Sequence, residues 1–380
     1  MTKLGTVRAA RTGDRHLPTG RSRWAIGASA LALLWTAALA VPAAGAAAPG
    51  GDPYDWTETP IGQPGLMVED IDADDGTAWA VGTEHFGERL VALRRDGDTW
   101  TDATPAIAGA SLVEVDVAAA DDVWAVGWDG SAADGSTSPL VVHWDGTAWT
   151  EIPGPAEIGA FDDVVVDAEG TVWVTGWARI GSAEPAVVYR YADGVWTEHS
   201  DGLEGAINGN SLTVLASDDA WLALNPGLAH FDGTSWTMVE EFPADGSQIL
   251  TGLAAVDATD VWAAGVEYAG PGPARPVVWH HDGSKWSEVP TPKVSAQVYD
   301  VTIVDGRPVV VGEEFDRDWA STPLVLTTEA GAERPRLVQV AGPTTGAVVL
   351  TSADADAGRL WVGGGDIDVF NGFAAYAELP

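Results

Sequence analysis

The chain has 380 residues, no cysteine, 19 tryptophans and a formal net charge of −37. An acidic balance this large repels phosphate backbones and anionic lipid, so neither nucleic acid nor a membrane surface is expected as a partner. The lack of cysteine excludes disulfides, thiol ligands, a catalytic thiol and a thiol-linked lipid anchor.

The first 46 residues read as a secretory signal peptide. Arg8, Arg11, Arg15, Arg21 and Arg23 form a basic leader, an apolar run follows from Trp24 to Ala40, and small residues come next in "VPAAGAAAPG". Cleavage is expected after Ala46 or Ala48. The alternative is a retained anchor, but the apolar run is short for a bilayer span. The remaining chain then carries 13 basic and 55 acidic residues, a net of −42 after 6 basic residues and 1 acid are removed. The protein is expected to be secreted, extracellular and monomeric, with no membrane span after cleavage.

From residue 53 onward the sequence repeats itself. The short segments "DGTAWAVG", "DDVWAVGWDG", "EGTVWVTG", "DDAWLALN", "TDVWAAG" and "GRLWVGG" recur down the chain. Aligned on the tryptophan, they fall at Trp79, Trp124, Trp173, Trp221, Trp262, then Val309 in place of Trp, then Trp361. The steps are 45, 49, 48, 41, 47 and 52 residues. That period suits the blades of a propeller.

Each unit reads as four short strands. In residues 111–152, "SLVEVDVA" alternates apolar and polar, "VWAVGW" is β-rich, "PLVVHW" is a third strand, and "AWTEI" follows a tight "DGT" turn. The turn recurs as "DGDTW", "DGTSW" and "DGSKW". The repeated tryptophans have a packing role: each blade must bury its faces against the next.

The two ends complement each other. "YDWTETP" at 54–60 matches the fourth strand "AWTEIP", while residues 346–380 supply three strands and lack a fourth. The expected fold is therefore all-β: a seven-bladed β-propeller over residues 53–380, with four-stranded blades and the N-terminal strand completing the last blade. Such closure covers an edge that would otherwise invite pairing.

The pairing of "VWAVG" with "WDGTAW" resembles the Trp-rich secreted propellers of actinobacteria. Its layout is similar to tectonin-type lectin repeats and to kelch-like and Asp-box propellers. Gly146 and Trp149 keep the Asp-box spacing, but Asp145 directly precedes the glycine, where that box has a residue between. The resemblance implies architecture and leaves activity open.

In such a blade the turns between strands one and two and between three and four share one face of the disc. The other face carries the longer connections, at 128–138, 177–184, 266–275 and 313–322. Variable loops on a rigid scaffold are the usual place for binding. The candidate ligand-binding residues there are Trp128, Asp129, Trp177, Tyr268, Glu313, Glu314, Phe315 and Trp319. Aromatic faces beside carboxylates suit stacking on sugar rings. Trp128 and Trp177 have an equally weighted reading as caps on inner strand ends.

The acid clusters "DIDADDG" (70–76) and "DADAG" (354–358) raise calcium as a cofactor. Their spacing departs from a calcium loop, and acids recur at this hairpin in most blades, so turn chemistry is the expected role and no cofactor is expected. His143, His230 and His280 sit in different blades and are expected on the third-strand surface. No HExxH, GxSxG or phosphate-binding glycine loop occurs, so no catalytic residue is assigned. The leading expectation is a non-enzymatic binding propeller for a glycan or an extracellular protein. The alternatives are a polysaccharide hydrolase or lyase acting through paired carboxylates, and a purely structural envelope protein.

Overall fold

The computed structural model describes residues 53–379, apart from 75, 85–88, 133–135, 180–183, 243–246, 269–273, 330–333, 345, 357 and 370. The expected signal peptide lies outside the described residues. Those residues form seven four-stranded antiparallel sheets and no helix. We number the blades 1 to 7 from residues 66–102, 110–151, 158–198, 207–241, 248–288, 296–340 and 348–378. Blade 2 shows the unit: Ala110–Ala119, Asp122–Asp129, Ser138–Trp144 and Trp149–Glu151. Blade 7 takes its fourth strand from the other end of the chain, and Trp56, Thr57 and Glu58 pair with Ala377, Tyr376 and Ala375. The expected closure is thus the observed one.

The glycine of the repeated "VWAVG" has a steric cause. Each first strand carries a bulge near its middle, as between Leu112 and Glu114. The bulge pushes a first-strand carbonyl onto the second strand. A Cβ on Gly127 would stand 2.1 Å from the Ser111 carbonyl oxygen, and one on Gly82 would stand 2.0 Å from that of Met67. Blade 4 solves the problem from the other side: Leu224 replaces the glycine, and its partner across the ladder is Gly209.

Each repeat tryptophan packs into the seam with the following blade. Trp79 of blade 1 is fully buried among Val115, Val123 and Leu140 of blade 2. Its ring stands 5.2 Å from Trp144 and 5.0 Å from Trp149, edge to face. The outer tryptophans reach back instead. Trp56, Trp196 and Trp236 donate their indole N–H to the carbonyls of Ala341, Pro153 and His199 in the preceding linkers.

The residue opposite each tryptophan on the third strand completes the seam. In blades 2, 4 and 5 it is His143, His230 or His280. These histidines are half-buried rather than surface groups, because each lies against its tryptophan at 4.3, 4.4 or 4.1 Å. Each also bonds an aspartate, Asp122, Asp219 or Asp260, at 2.8 to 2.9 Å. Arg190 takes this place in blade 3, with its guanidinium 3.6 Å from the Trp173 ring centre.

Blade 6 has Val309 at the tryptophan position, facing Thr327. Tyr54 fills the resulting space. It is buried with Val309, Val311, Val325 and Leu360. The closing segment therefore supplies the aromatic ring that the sixth repeat lacks.

Candidate functional site

The hairpins joining strands one to two and three to four are short, as expected, except in blade 6, where strands Ser321–Thr328 and Leu337–Val340 are joined by residues 329–336. Asp145 accepts the N–H groups of Thr147 and Ala148, each at 2.9 Å. The Thr147 hydroxyl and these amides hold the Asp145 carboxyl down at about 2. The connections between strands two and three, and those between blades, gather on the opposite face.

On that face the last residues of each second strand surround the mouth of the central channel. Trp128, Trp177 and Glu313 hold equivalent places, four residues beyond Trp124, Trp173 and Val309. They belong to the strands Asp122–Asp129, Val172–Ala178 and Arg307–Phe315. Asp129, Glu314 and Phe315 lie on the same strand ends, so the ladder runs further than the sequence indicates. Tyr268 and Trp319 lie in loops.

Trp128 and Trp177 sit on adjacent blades, half-buried over glycines. A Cβ on Gly159 would stand 1.9 Å from the Trp177 ring, and one on Gly130 would stand 2.7 Å from the Trp128 ring. Asp129 accepts the Ser131 N–H at 2.7 Å. These contacts fit the capping role and leave part of each ring facing solvent.

Blades 5 and 6 hold the other five residues. Glu313 is 1% exposed and both its oxygens are committed. One accepts the Tyr299 hydroxyl at 2.7 Å and the other accepts Ser321 Oγ at 2.6 Å. Burial pushes the Glu313 carboxyl up, and burial beside Glu313 pushes the Tyr299 hydroxyl up further. Glu314 points the other way and accepts the Gln339 amide at 2.8 Å. Tyr268 is 41% exposed and Trp319 is 68% exposed. Backbone bonds from Ala296 to Ala274 (3.1 Å) and from Phe315 to Ser295 (2.8 Å) fasten the two blades' loops together.

The loop carrying Trp319 is tightly built. Asp316 Oδ1 accepts the N–H groups of Asp318 at 2.7 Å and Ala320 at 2.9 Å. The Trp319 N–H meets the Asp316 carbonyl at 3.2 Å. These bonds hold Trp319 at φ +65°, in the left-handed region that side chains with a Cβ avoid. Its ring turns outward and stands 5.9 Å from Phe315. A strained backbone that presents an exposed indole is a feature of recognition surfaces more than of packing.

Below the mouth lies a feature the sequence reading misplaced. Asp70 and Asp72 lie in the strand Leu66–Asp74, and Asp354 lies in Val348–Ala355, so they are not turn residues. With Glu114, Asp116, Asp163 and Asp300 they form two tiers along the channel. The first strand of each blade exposes an unpaired edge to the channel, and these carboxylates cap the N–H groups of the next blade. Val115, Leu212 and Ala353 donate to Asp70, Asp163 and Asp300 at 2.9, 2.6 and 2.9 Å. Val117, Val166 and Ala73 donate to Asp72, Asp116 and Asp354 at 2.5, 3.1 and 3.1 Å. Ser211 and Ser352 serve the same purpose in blades 4 and 7. The recurring acids in "VEDID", "VEVD" and "AFDD" were the available signal; their place on a strand that lies next to the axis was not readable from the chain alone.

Among the described residues no group of three or more His, Cys, Asp or Glu is placed to hold a metal ion. No described helix is long and apolar enough to cross a membrane. Two cavities of about 600 and 570 Å³ open at the seams between blades 1 and 2 and between blades 3 and 4. None of the eight sequence-predicted residues lines either cavity.

The geometry defines a seven-bladed β-propeller with one elaborated face and an opposite face of short hairpins in all blades but blade 6. Solved structures agree on the fold. The chain is similar to YCF48 bound to a D1 peptide, at 15% identity and a TM-score of 0.58, over 91% of this chain and all of that one. It is also similar to the GH74 xyloglucanase of Xanthomonas campestris, at 16% identity and a TM-score of 0.56, over 82% of this chain and 53% of that one. The chain thus spans about half the length of the xyloglucanase. No protein-family model matches, and no curated protein matches.

Proposed function

We propose that this chain is an exported, non-enzymatic binding propeller whose elaborated face holds an extracellular glycan or protein. The observation that carries the reading is the loop 316–320, which bonds its own backbone to hold Trp319 outward beside Phe315, on the face where Tyr268 of blade 5 is also exposed. The N-terminal leader supports export. A propeller of similar fold holds a peptide, which supports a protein ligand. Half-buried Trp128 and Trp177 across the mouth offer stacking surface for sugar.

The hydrolase alternative finds less support. It needs two carboxylates free to reach substrate. Glu313 is sealed beneath the surface with both oxygens bonded, and Glu314 faces away from it. The test is binding of the purified protein to a glycan array and to surface proteins of the producing cell. Trp319→Ala with Tyr268→Ala is expected to abolish the signal while leaving the melting temperature in place. Binding that survives the double variant would refute the assignment. Turnover of a polysaccharide would favour the enzyme.

A further inference from the structure

Seven carboxylates converge along the channel: Asp70, Asp72, Glu114, Asp116, Asp163, Asp300 and Asp354. The groups acting on them are one another, serine hydroxyls and backbone N–H groups. Lys, Arg and His are missing from that set among the described residues. Two pairs set carboxyl against carboxyl. Asp354 of blade 7 accepts the N–H of Ala73, next to Asp72 of blade 1, and Asp70 of blade 1 accepts the N–H of Val115, next to Glu114 of blade 2, so each pair of carboxyl groups meets across a seam. Two ionised carboxylates in such a pair repel, and one shared proton turns the repulsion into a bond.

We propose that each of these two acid–acid pairs shares a proton and acts as a clasp, joining blade 1 to both its neighbours, one of which is the blade that the two chain ends build together. Every group facing the clasps is consistent with this. Asp72 faces Asp70 on its own strand, Asp116 of blade 2 and Asp354 of blade 7, and it accepts Val117 N–H. Asp354 faces Asp72 and accepts Ala73 N–H. Glu114 faces Asp70, Asp163 and Asp300. Asp70 holds Val115 N–H and the Ser352 hydroxyl. Burial and mutual repulsion raise the Asp72 carboxyl to about 6, and raise Glu114 and Asp354 well above their ordinary values.

The sign follows directly. The folded form holds protons that the unfolded chain has released, so stability falls as pH rises through the folded values. The melting temperature of the full chain is measured from about pH 6 to pH 9 in ~0.5 M sodium chloride, which screens the acidic exterior. Ordinary surface carboxylates are already ionised throughout that range.

The wild type is expected to lose melting temperature with rising pH, and to show an infrared carbonyl band of protonated carboxyl groups at pH 7. Asp354→Asn and Glu114→Gln can donate the same bond without a titrating proton. Each is expected to fold, to flatten the pH slope and to reduce proton uptake on folding by one, read from calorimetry in buffers of different ionisation enthalpy. A flat wild-type profile would overturn the proposal. So would an unchanged slope in both variants, or calcium raising the melting temperature at pH 8 while abolishing the carboxyl band.

Discussion

Replacing Tyr54 with alanine tests how the ring is closed. Tyr54 is 6% exposed, in the seam between blades 6 and 7. It packs on Val309, Val311, Val325 and Leu360. Removing a buried aromatic ring costs about 3–5 kcal/mol. At roughly 2 °C per kcal/mol for a domain of this size, the melting temperature falls by about 8 °C. Tyr54→Phe keeps the packed ring and is expected to leave the melting temperature within about 2 °C of the wild type. Restoring the missing tryptophan by Val309→Trp in the wild type overfills the seam and costs about 1–3 kcal/mol. In the Tyr54→Ala background the same change enters vacated space and recovers stability. A double-mutant cycle by chemical denaturation reads the coupling, expected to favour the double variant by at least about 1 kcal/mol. Additive losses would refute the idea that Tyr54 stands in for the sixth tryptophan.

Gly127→Ala forces a Cβ to within 2.1 Å of a backbone carbonyl and is expected to prevent folding or lower the melting temperature sharply, whereas Gly346→Ala, whose nearest neighbour is at 3.6 Å, is expected to be neutral. Asp260→Ala strips the shared acceptor from the Trp262 indole at 2.8 Å and from His280 at 2.9 Å, and is expected to cost about 1–3 kcal/mol in denaturant titration. The Asp282 carboxyl is held down at about 2 by the Ser284 hydroxyl and the amides of Ser284 and Lys285. Its contribution is present above the ordinary carboxylate range and lost as pH falls through 2, so Asp282→Ala is expected to lower the melting temperature at pH 7 and to match the wild type's behaviour only in strong acid.

The architecture was legible because its determinants are local and repeated. Trp124, Gly127, Asp145 and Trp149 each answer one steric demand, and the same demand returns in most blades. The closing strand was legible because "DWTET" copies a fourth strand that lacks its own blade. The channel was not, since alternation tells which residues share a face of a strand and not that seven such strands meet at an axis. Asp70 and Asp72 therefore looked like an extended turn. Tyr54 escaped notice because it follows no repeat; it fills the space where the repeat fails. The elaborated face was half legible: loop lengths pointed to it, but the outward fixing of Trp319 depends on turn geometry, and the sealing of Glu313 depends on Tyr299 and Ser321 from other strands.

The chain lacks cysteine, so a designed disulfide gives an unambiguous reading of the ring closure. Thr57 and Tyr376 are directly opposed on paired strands, within the Cα separation that a disulfide spans. Thr57→Cys with Tyr376→Cys is expected to oxidise within one molecule and to run as a compact monomer on a non-reducing gel, with both thiols consumed. Free thiols that resist oxidation, or disulfide-linked dimers in their place, would contradict a propeller closed by its own N-terminal strand.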